Sequence, residues 1–194
     1  MALSDFLKTQ INLNHYFYLQ LNMKKLTETE IRRRAKNIKL VLTDVDGVLT
    51  DTGVYYSAKG EEMKRFSIRD GMGMRLLDAC GIMSAMLTRE DSPRVAARSK
   101  NLSLPYYFRG ILDKKAALPD VLRQTGLKMN QLAYIGDDVN DVEIMTEIAK
   151  TGLTSCPSDA MPAAKNVAHY TAKATGGNGA FRDFAEWIMK NRKR

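Results

Sequence analysis

The first sharp shift from mixed to apolar composition comes at residues 38–43, a run of apolar and β-branched residues. It stops at Asp44-Val45-Asp46-Gly47. A short apolar run bounded by a turn is the pattern of a strand buried on both faces, as in a parallel sheet. The pattern returns at 82–87, 106–108, 132–135, 153–155 and 167–171. Helical spacing fills the intervals. Residues 71–80 carry Met74, Leu76 and Leu77 on one side and meet a stop at Gly81. Ser92-Pro93 opens a helix running to about Leu102, with Pro in its first turn. Further helices read at 114–125, closed by Gly126, at 139–150, and at 180–190 after Gly176-Gly177-Asn178-Gly179, which reads as a flexible turn. Upstream, Thr27 and Glu30 form a capping box for a short basic helix to about Asn37. Residues 51–69 break the alternation: Val54-Tyr55-Tyr56, then Ala58-Lys59-Gly60, then 63–68, which is a hairpin with glycine at its turn. Strands alternating with helices predict an α/β sandwich with a mostly parallel sheet.

Residues 1–22 mix Asn, Gln and aromatics without a period. They read as a disordered N-terminal extension to a single domain at 23–194, with Met23 as a second candidate start. They lack the basic start and unbroken apolar stretch of a secretory leader. The chain has 194 residues, enough for one full core, and 44% hydrophobic against 27% charged residues, which excludes a wholly disordered chain. No apolar run approaches the ~20 residues of a membrane span. Cys80 and Cys156 make neither a metal spacing nor a disulfide framework; they read as buried thiols in a reducing, cytoplasmic compartment.

The net charge is +8. A basic chain raises the question of nucleic acid. Here the excess lies at the two ends, and the stretch 37–189 is neutral, so the tails read as solvated and no nucleic-acid partner is expected.

Chemistry gathers at strand ends, where parallel sheets bind ligands. One strand ends in Asp44 and Asp46, the next in Thr88, and a later one in Asp137 and Asp138. Carboxylates brought that close repel unless a cation lies among them. A set of oxygen ligands without His or Cys favours Mg²⁺, and Mg²⁺ held by few carboxylates commonly binds a phosphate. The pattern is that of Mg²⁺-assisted phosphoryl chemistry.

Asp44-Val45-Asp46-Gly47-Val48-Leu49-Thr50 resembles the nucleophile motif of the haloacid dehalogenase superfamily. Thr88, Lys114 and Gly136-Asp137-Asp138 with Asp141 stand where its other motifs fall. The stretch from Gly60 through Phe66 to Met74, and Gly176 to Arg182, resemble the family of 3-deoxy-D-manno-octulosonate (Kdo) 8-phosphate phosphatases. The resemblance implies a three-layer Rossmann-like sandwich with a β-hairpin flap and no cap domain, since only a hairpin and a helix separate Asp46 from Thr88. It implies Asp44 as nucleophile and Asp46 as general acid and base. Thr88 and Lys114 would bind the phosphoryl oxygens. Asp44, Asp137 and the backbone carbonyl of Asp46 would hold Mg²⁺, and Asp138 and Asp141 would support them or cap the following helix. Ser67, Ile68, Arg69, Asp70, Gly71, Arg75, Arg98 and Lys114 would contact a sugar acid phosphate, as would Asp46. An exposed helix charge remains open for Arg75 and Arg98, and an internal Arg69–Asp70 pair for the loop. The family implies a homotetramer whose neighbours close each site, working in the cytoplasm in lipopolysaccharide biosynthesis, with no membrane partner.

Two departures bear on the substrate. The family usually carries Thr-Gly-Arg where this chain reads Thr88-Arg89-Glu90, and Arg where Asn178 stands. Glu90 reverses a charge and is expected to reject a nearby carboxylate. Phosphatases of nine-carbon keto-deoxynonulosonate or N-acylneuraminate 9-phosphates carry Glu there, so Glu90 joins the substrate contacts and that activity is the alternative. An inactive oligomerisation module is the alternative of another class; the intact acidic residues count against it. His15 and His169 are not expected to be ligands. The methionines, and the face formed by Phe181, Phe184, Trp187 and Ile188, read as packing.

Overall fold

A computed structural model describes residues 25–192. The extension expected at 1–22 and His15 lie outside the described residues. The described residues open with helix α1 (Glu28–Asn37) and strand β1 (Leu40–Thr43), followed by the hairpin strands β2 (Val54–Ser57) and β3 (Gly60–Lys64). Then come α2 (Ile68–Ala79), β4 (Met83–Leu87), α3 (Pro93–Asn101), β5 (Tyr106–Phe108) and α4 (Leu118–Thr125). The second half holds β6 (Leu132–Ile135), α5 (Val139–Ala149), β7 (Leu153–Cys156), α6 (Pro162–Asn166), β8 (Tyr170–Thr171) and α7 (Ala180–Arg192).

Six strands form one sheet in the order β5-β4-β1-β6-β7-β8, and every pairing is parallel. The chain builds outward from β1 to β5, returns to lay β6 on the other side of β1, and builds outward again. That reversal opens a crevice between the carboxyl ends of β1 and β6, the position where such sheets bind ligands. The hairpin β2–β3 is a separate antiparallel pair with a register shift between Tyr55 and Tyr56.

Side-chain alternation assigns β1 to both layers. Val41 points into a core with Met74, Leu77, Phe181, Phe184 and Ile188 from α2 and α7. Leu40 and Leu42 point into a second core with Val121, Val142, Met145 and Ile148 from α4 and α5. Both faces of the sheet are thereby covered, which is why its strands read as continuous apolar runs. No cap domain interrupts the described residues.

Local boundaries differ from the sequence pattern where capping overrides periodicity. Helix α2 starts at Ile68, because Ser67 caps it by accepting from the Arg69 amide at 3.1 Å. Residues 114–117 are turns, and α4 begins only at Leu118. Helix α6, with Pro162 in its first turn, takes residues the pattern left unassigned and shortens the last strand to Tyr170–Thr171. Thr27 caps α1 as expected, accepting from the Glu30 amide at 3.2 Å. Glu30 itself spends its carboxylate on Arg33 and Arg34.

The turn at Gly176–Gly179 is packed. A Cβ on Gly176 would lie 2.0 Å from the Gly47 carbonyl oxygen, so only glycine fits. The Gly177 amide donates to the Val48 carbonyl at 2.9 Å. Beside it, Asp70 is buried and accepts from the amides of Gly179 at 3.2 Å and Arg182 at 3.0 Å, capping α7. Asp70→Ala would leave those amides unpaired in a dry site. It is expected to cost about 2 kcal/mol and to lower the melting temperature by roughly 4–8 °C, read by thermal unfolding.

Candidate active site

Asp44 follows β1 directly, so the sheet fixes its backbone: its amide donates to the Ile135 carbonyl at 3.0 Å. The side chain is buried. Its Oδ1 accepts from the Val45 amide at 2.7 Å, and its Oδ2 lies 2.6 Å from Lys114 Nζ. Lys114 is also buried and reaches Asp141 Oδ1 at 2.7 Å. Asp141 is wholly committed: Tyr134 donates to Oδ1 at 2.7 Å, and the Asp137 amide donates to Oδ2 at 2.9 Å. Asp138 caps α5 through its contact with the Val139 amide at 2.6 Å. Asp138 and Asp141 thus hold the loop after β6 in place, and Lys114 is tied to it from another segment.

Carboxylate oxygens of Asp44, Asp137 and Asp141 lie within 4.8 Å of one another. Lys114 is the ammonium paired with this cluster, so negative charge is in excess. Burial and then the Asp141 charge push the Asp44 carboxyl up, against the pull of Lys114. Burial, then Asp141 and Asp44, push Asp137 up to about 8. Burial draws the Lys114 ammonium down, but Asp141 and Asp44 outweigh it and hold it above its usual range. This is a donor set that fits a hard divalent cation: oxygen atoms only, crowded, and short of positive charge. Because Asp141 is already saturated, Asp44 and Asp137 are the residues suited to hold it. Gly47 brings the backbone of the Asp46 loop against Asp137; a Cβ there would lie 1.9 Å from Asp137 Oδ2.

A pocket of about 270 Å³ opens above this cluster, lined by Asp44, Asp46, Thr88, Glu90, Asp137 and Asn140. Thr52, Arg89 and Asp138 complete its wall. Thr88 is buried at the end of β4, and its Oγ1 accepts from the Glu90 amide at 3.2 Å. Asp46 lies on the rim. Thr50 Oγ1 donates to its Oδ1 at 3.2 Å, and Lys64 of β3 donates to both its oxygens at 2.9 and 2.7 Å. The same Lys64 ammonium contacts Glu90 Oε2 and lies 3.8 Å from Glu61. Sequence reasoning missed Lys64, since a lysine closing a hairpin strand looks like a solvated charge. Here its side chain is 0% exposed.

The structure places the other expected substrate contacts apart from this pocket. Ser67 caps α2, and its carbonyl accepts from Arg98 at 3.1 Å. Arg98 also donates to Asn101 at 3.1 Å and stands over the Phe66 ring at 5.8 Å. Gly71 packs close to Arg98, where a Cβ would meet the guanidinium at 2.9 Å. Ile68 is 84% exposed, and Arg69 and Arg75 are exposed. Asp70 accepts from the amides of Gly179 and Arg182 at the start of α7, and no ion pair joins it to Arg69 among the described residues. Of the thiols, Cys156 is buried, whereas Cys80 is exposed, against expectation, because it caps the end of α2 at the surface. His169 lies elsewhere: its Nδ1 accepts from the Thr154 amide at 3.1 Å, and burial pulls the ring down to about 4. Trp187 stacks on Tyr170 at 4.9 Å.

Carboxylates gathered at the switch point of a parallel sheet, with a buried lysine and a threonine at neighbouring loops, define a haloacid dehalogenase-like hydrolase. The family model of that description matches residues 97–182. Within that class, the chain belongs to the family of Kdo 8-phosphate phosphatases. It is 38% identical over 160 residues to the 3-deoxy-D-manno-octulosonate 8-phosphate phosphatase of Haemophilus influenzae, covering 82% of this chain and 87% of the relative. The Yersinia pestis relative is 35% identical over 82% of this chain and 84% of its own length. Among solved structures, the Moraxella catarrhalis phosphatase in complex with magnesium, phosphate and Kdo superposes with a TM-score of 0.79. It is 35% identical over 85% of this chain and 93% of its own. The cobalt-bound H. influenzae enzyme gives a TM-score of 0.78 at 38% identity, covering 82% of this chain and 92% of its own.

The carboxyl pKa values set a pH dependence. Asp44 and Asp137 bind a proton more tightly folded than unfolded, so without metal the fold loses stability as pH rises from about 4 through about 8. Thermal unfolding at pH 6 and pH 8 is expected to show a lower melting temperature at pH 8, and a larger Mg²⁺-induced rise there than at pH 6.

Proposed function

We propose that this chain is a Mg²⁺-dependent phosphatase that converts Kdo 8-phosphate to Kdo and phosphate through an aspartyl-phosphate. The observation that carries the reading is the buried Asp44 carboxylate, aimed into the pocket and oriented by the Val45 amide and Lys114. In the first step, the Asp44 carboxylate bonds to phosphorus and the bond from phosphorus to the sugar oxygen breaks. Asp46, on the rim, gives that oxygen a proton. In the second step, Asp46 takes a proton from the water that attacks phosphorus, freeing phosphate and regenerating Asp44. Thr88 and Lys114 bind the phosphoryl oxygens as charge shifts onto them. Mg²⁺, held by Asp44, Asp137 and the Asp46 carbonyl, supplies positive charge to the phosphoryl group.

Glu90 does not by itself move the substrate to a nine-carbon acid. Its carboxylate contacts Lys64, an ammonium it shares with Asp46 and Glu61, and the relatives the chain resembles act on Kdo 8-phosphate. The gathered Asp44, Asp46, Thr88, Lys114 and Asp137 disfavour an idle oligomerisation module.

The reading extends to assembly as a homotetramer in which neighbours close each pocket. The hairpin exposes Tyr55, Tyr56 and Met63 at 57%, 73% and 60%, and α2 exposes Ile68 and Met72. Apolar surface on that scale marks an interface. In such an assembly, the exposed Ile68, Arg69 and Arg75 would face a neighbour's pocket. Arg forks suit the carboxylate of a sugar acid. The enzyme then works in the cytoplasm, in the synthesis of surface lipopolysaccharide; among the described residues no helix is long and apolar enough to cross a membrane.

The test is phosphate release with Mg²⁺ from Kdo 8-phosphate and from a nine-carbon keto-deoxy acid 9-phosphate. A tenfold or larger kcat/KM preference for the former, about 1.4 kcal/mol, is expected; the reverse would transfer the enzyme to nonulosonate synthesis. Asp44→Asn is expected to abolish turnover while leaving the melting temperature within a few degrees of wild type. Tyr56→Lys is expected to shift the sedimentation coefficient from tetramer toward smaller species.

A further inference from the structure

Lys64 is a charged group with a fully buried side chain, and the reaction sequence above gives it no role. It arrives from the hairpin, outside the Rossmann-like sheet, and its ammonium sits among carboxylates from three segments. Two bonds go to Asp46, at 2.9 and 2.7 Å. A third contact goes to Glu90 Oε2, and Glu61 stands at 3.8 Å. Both strong partners line the reaction pocket. The hairpin is anchored separately to the loop and helix beyond Glu90. Ser92 Oγ donates to Glu61 Oε1 at 3.0 Å, and Arg94 donates to the Glu62 carbonyl at 3.2 Å and to the Glu61 carbonyl.

We infer that Lys64 is a positioning residue: it aims the Asp46 carboxylate, and Glu90 acts through Lys64 rather than on the sugar. An ammonium that bonds both oxygens of a carboxylate fixes its rotation as well as its place. Asp46 is half-buried on an open rim, with Thr50 as its other side-chain partner. Without Lys64 its carboxyl is free to rotate away from the leaving oxygen. Glu90 contacts the same ammonium and is a second tether on it. The general acid is thereby set by a residue of the flap, and docking of the flap becomes a condition of proton transfer.

The inference rests on the phosphatase reading, and its test uses the leaving group. A primary sugar alkoxide needs a proton as it departs, whereas 4-nitrophenolate does not. Loss of a well-aimed acid therefore lowers kcat/KM for Kdo 8-phosphate far more than for 4-nitrophenyl phosphate. Lys64→Met, which keeps the length of the stem, is expected to lower the ratio of the two kcat/KM values at least tenfold, and Lys64→Arg to restore most of it. Glu90→Gln, which leaves Lys64 in place and serves if Lys64→Met does not fold, is expected to lower the ratio in the same direction by a smaller factor. Added to Lys64→Met it should do nothing further, as expected of groups acting in series. Equal losses on both esters, or an unmoved ratio in either variant, would overturn the inference. So would a Glu90→Gln effect that adds in full to that of Lys64→Met. A wild type active on neither ester would remove the phosphatase reading itself.

Discussion

The Lys114 ammonium, shared between Asp44 and Asp141, is the contact on which the rest of the site depends. Asp44 comes from the end of β1, Asp141 from the first turn of α5, and Lys114 from the turns before α4. One buried cation thus ties three segments together at the point where the sheet reverses direction. Removing it would leave the crowded carboxylates of Asp44, Asp137 and Asp141 facing one another in a dry place, a costly arrangement. The same contact also sets the chemistry: it orients Asp44, and as one ammonium among three carboxylates it leaves room for a further cation. A fold residue and a reaction residue are here the same lysine.

Division of labour among the acidic residues follows from their partners. Asp141 has its oxygens filled by Lys114, Tyr134 and a backbone amide, so it organises. Asp138 caps α5. Asp70, beside the Gly176–Gly179 turn, caps α7. Asp44, Asp137 and Asp46 keep capacity facing the pocket. Identical side chains thereby take distinct tasks according to how many of their lone pairs the protein has already satisfied.

Much of this was legible in the chain. The continuous apolar runs announced a sheet covered on both faces, and the polar residues ending them announced where the chemistry lies. Asp44, Asp46, Thr88 and Asp137 line one pocket because strand ends in a parallel sheet share a rim. What escaped the sequence were contacts made across long separations by residues with unremarkable local patterns. Lys64 belongs to an amphipathic hairpin strand, and nothing in its spacing distinguishes it from a solvated lysine. Asp70, read as a substrate contact, turned out to cap α7, whose start lies far along the chain. The beginning of α2 was misplaced because glycines at 71 and 73 weaken the helical pattern while the Ser67 cap works against that weakness.

The close approach of Gly176 to Gly47 makes the acidic loop depend on a distant part of the chain. The loop carrying Asp44 and Asp46 is braced by backbone far along the chain, through Gly176 and the Gly177 amide bonded to Val48. The long connection between them must close before the loop is held. A change at residues 176–179 would therefore reach the reaction centre through the backbone, without touching any group that takes part in the chemistry.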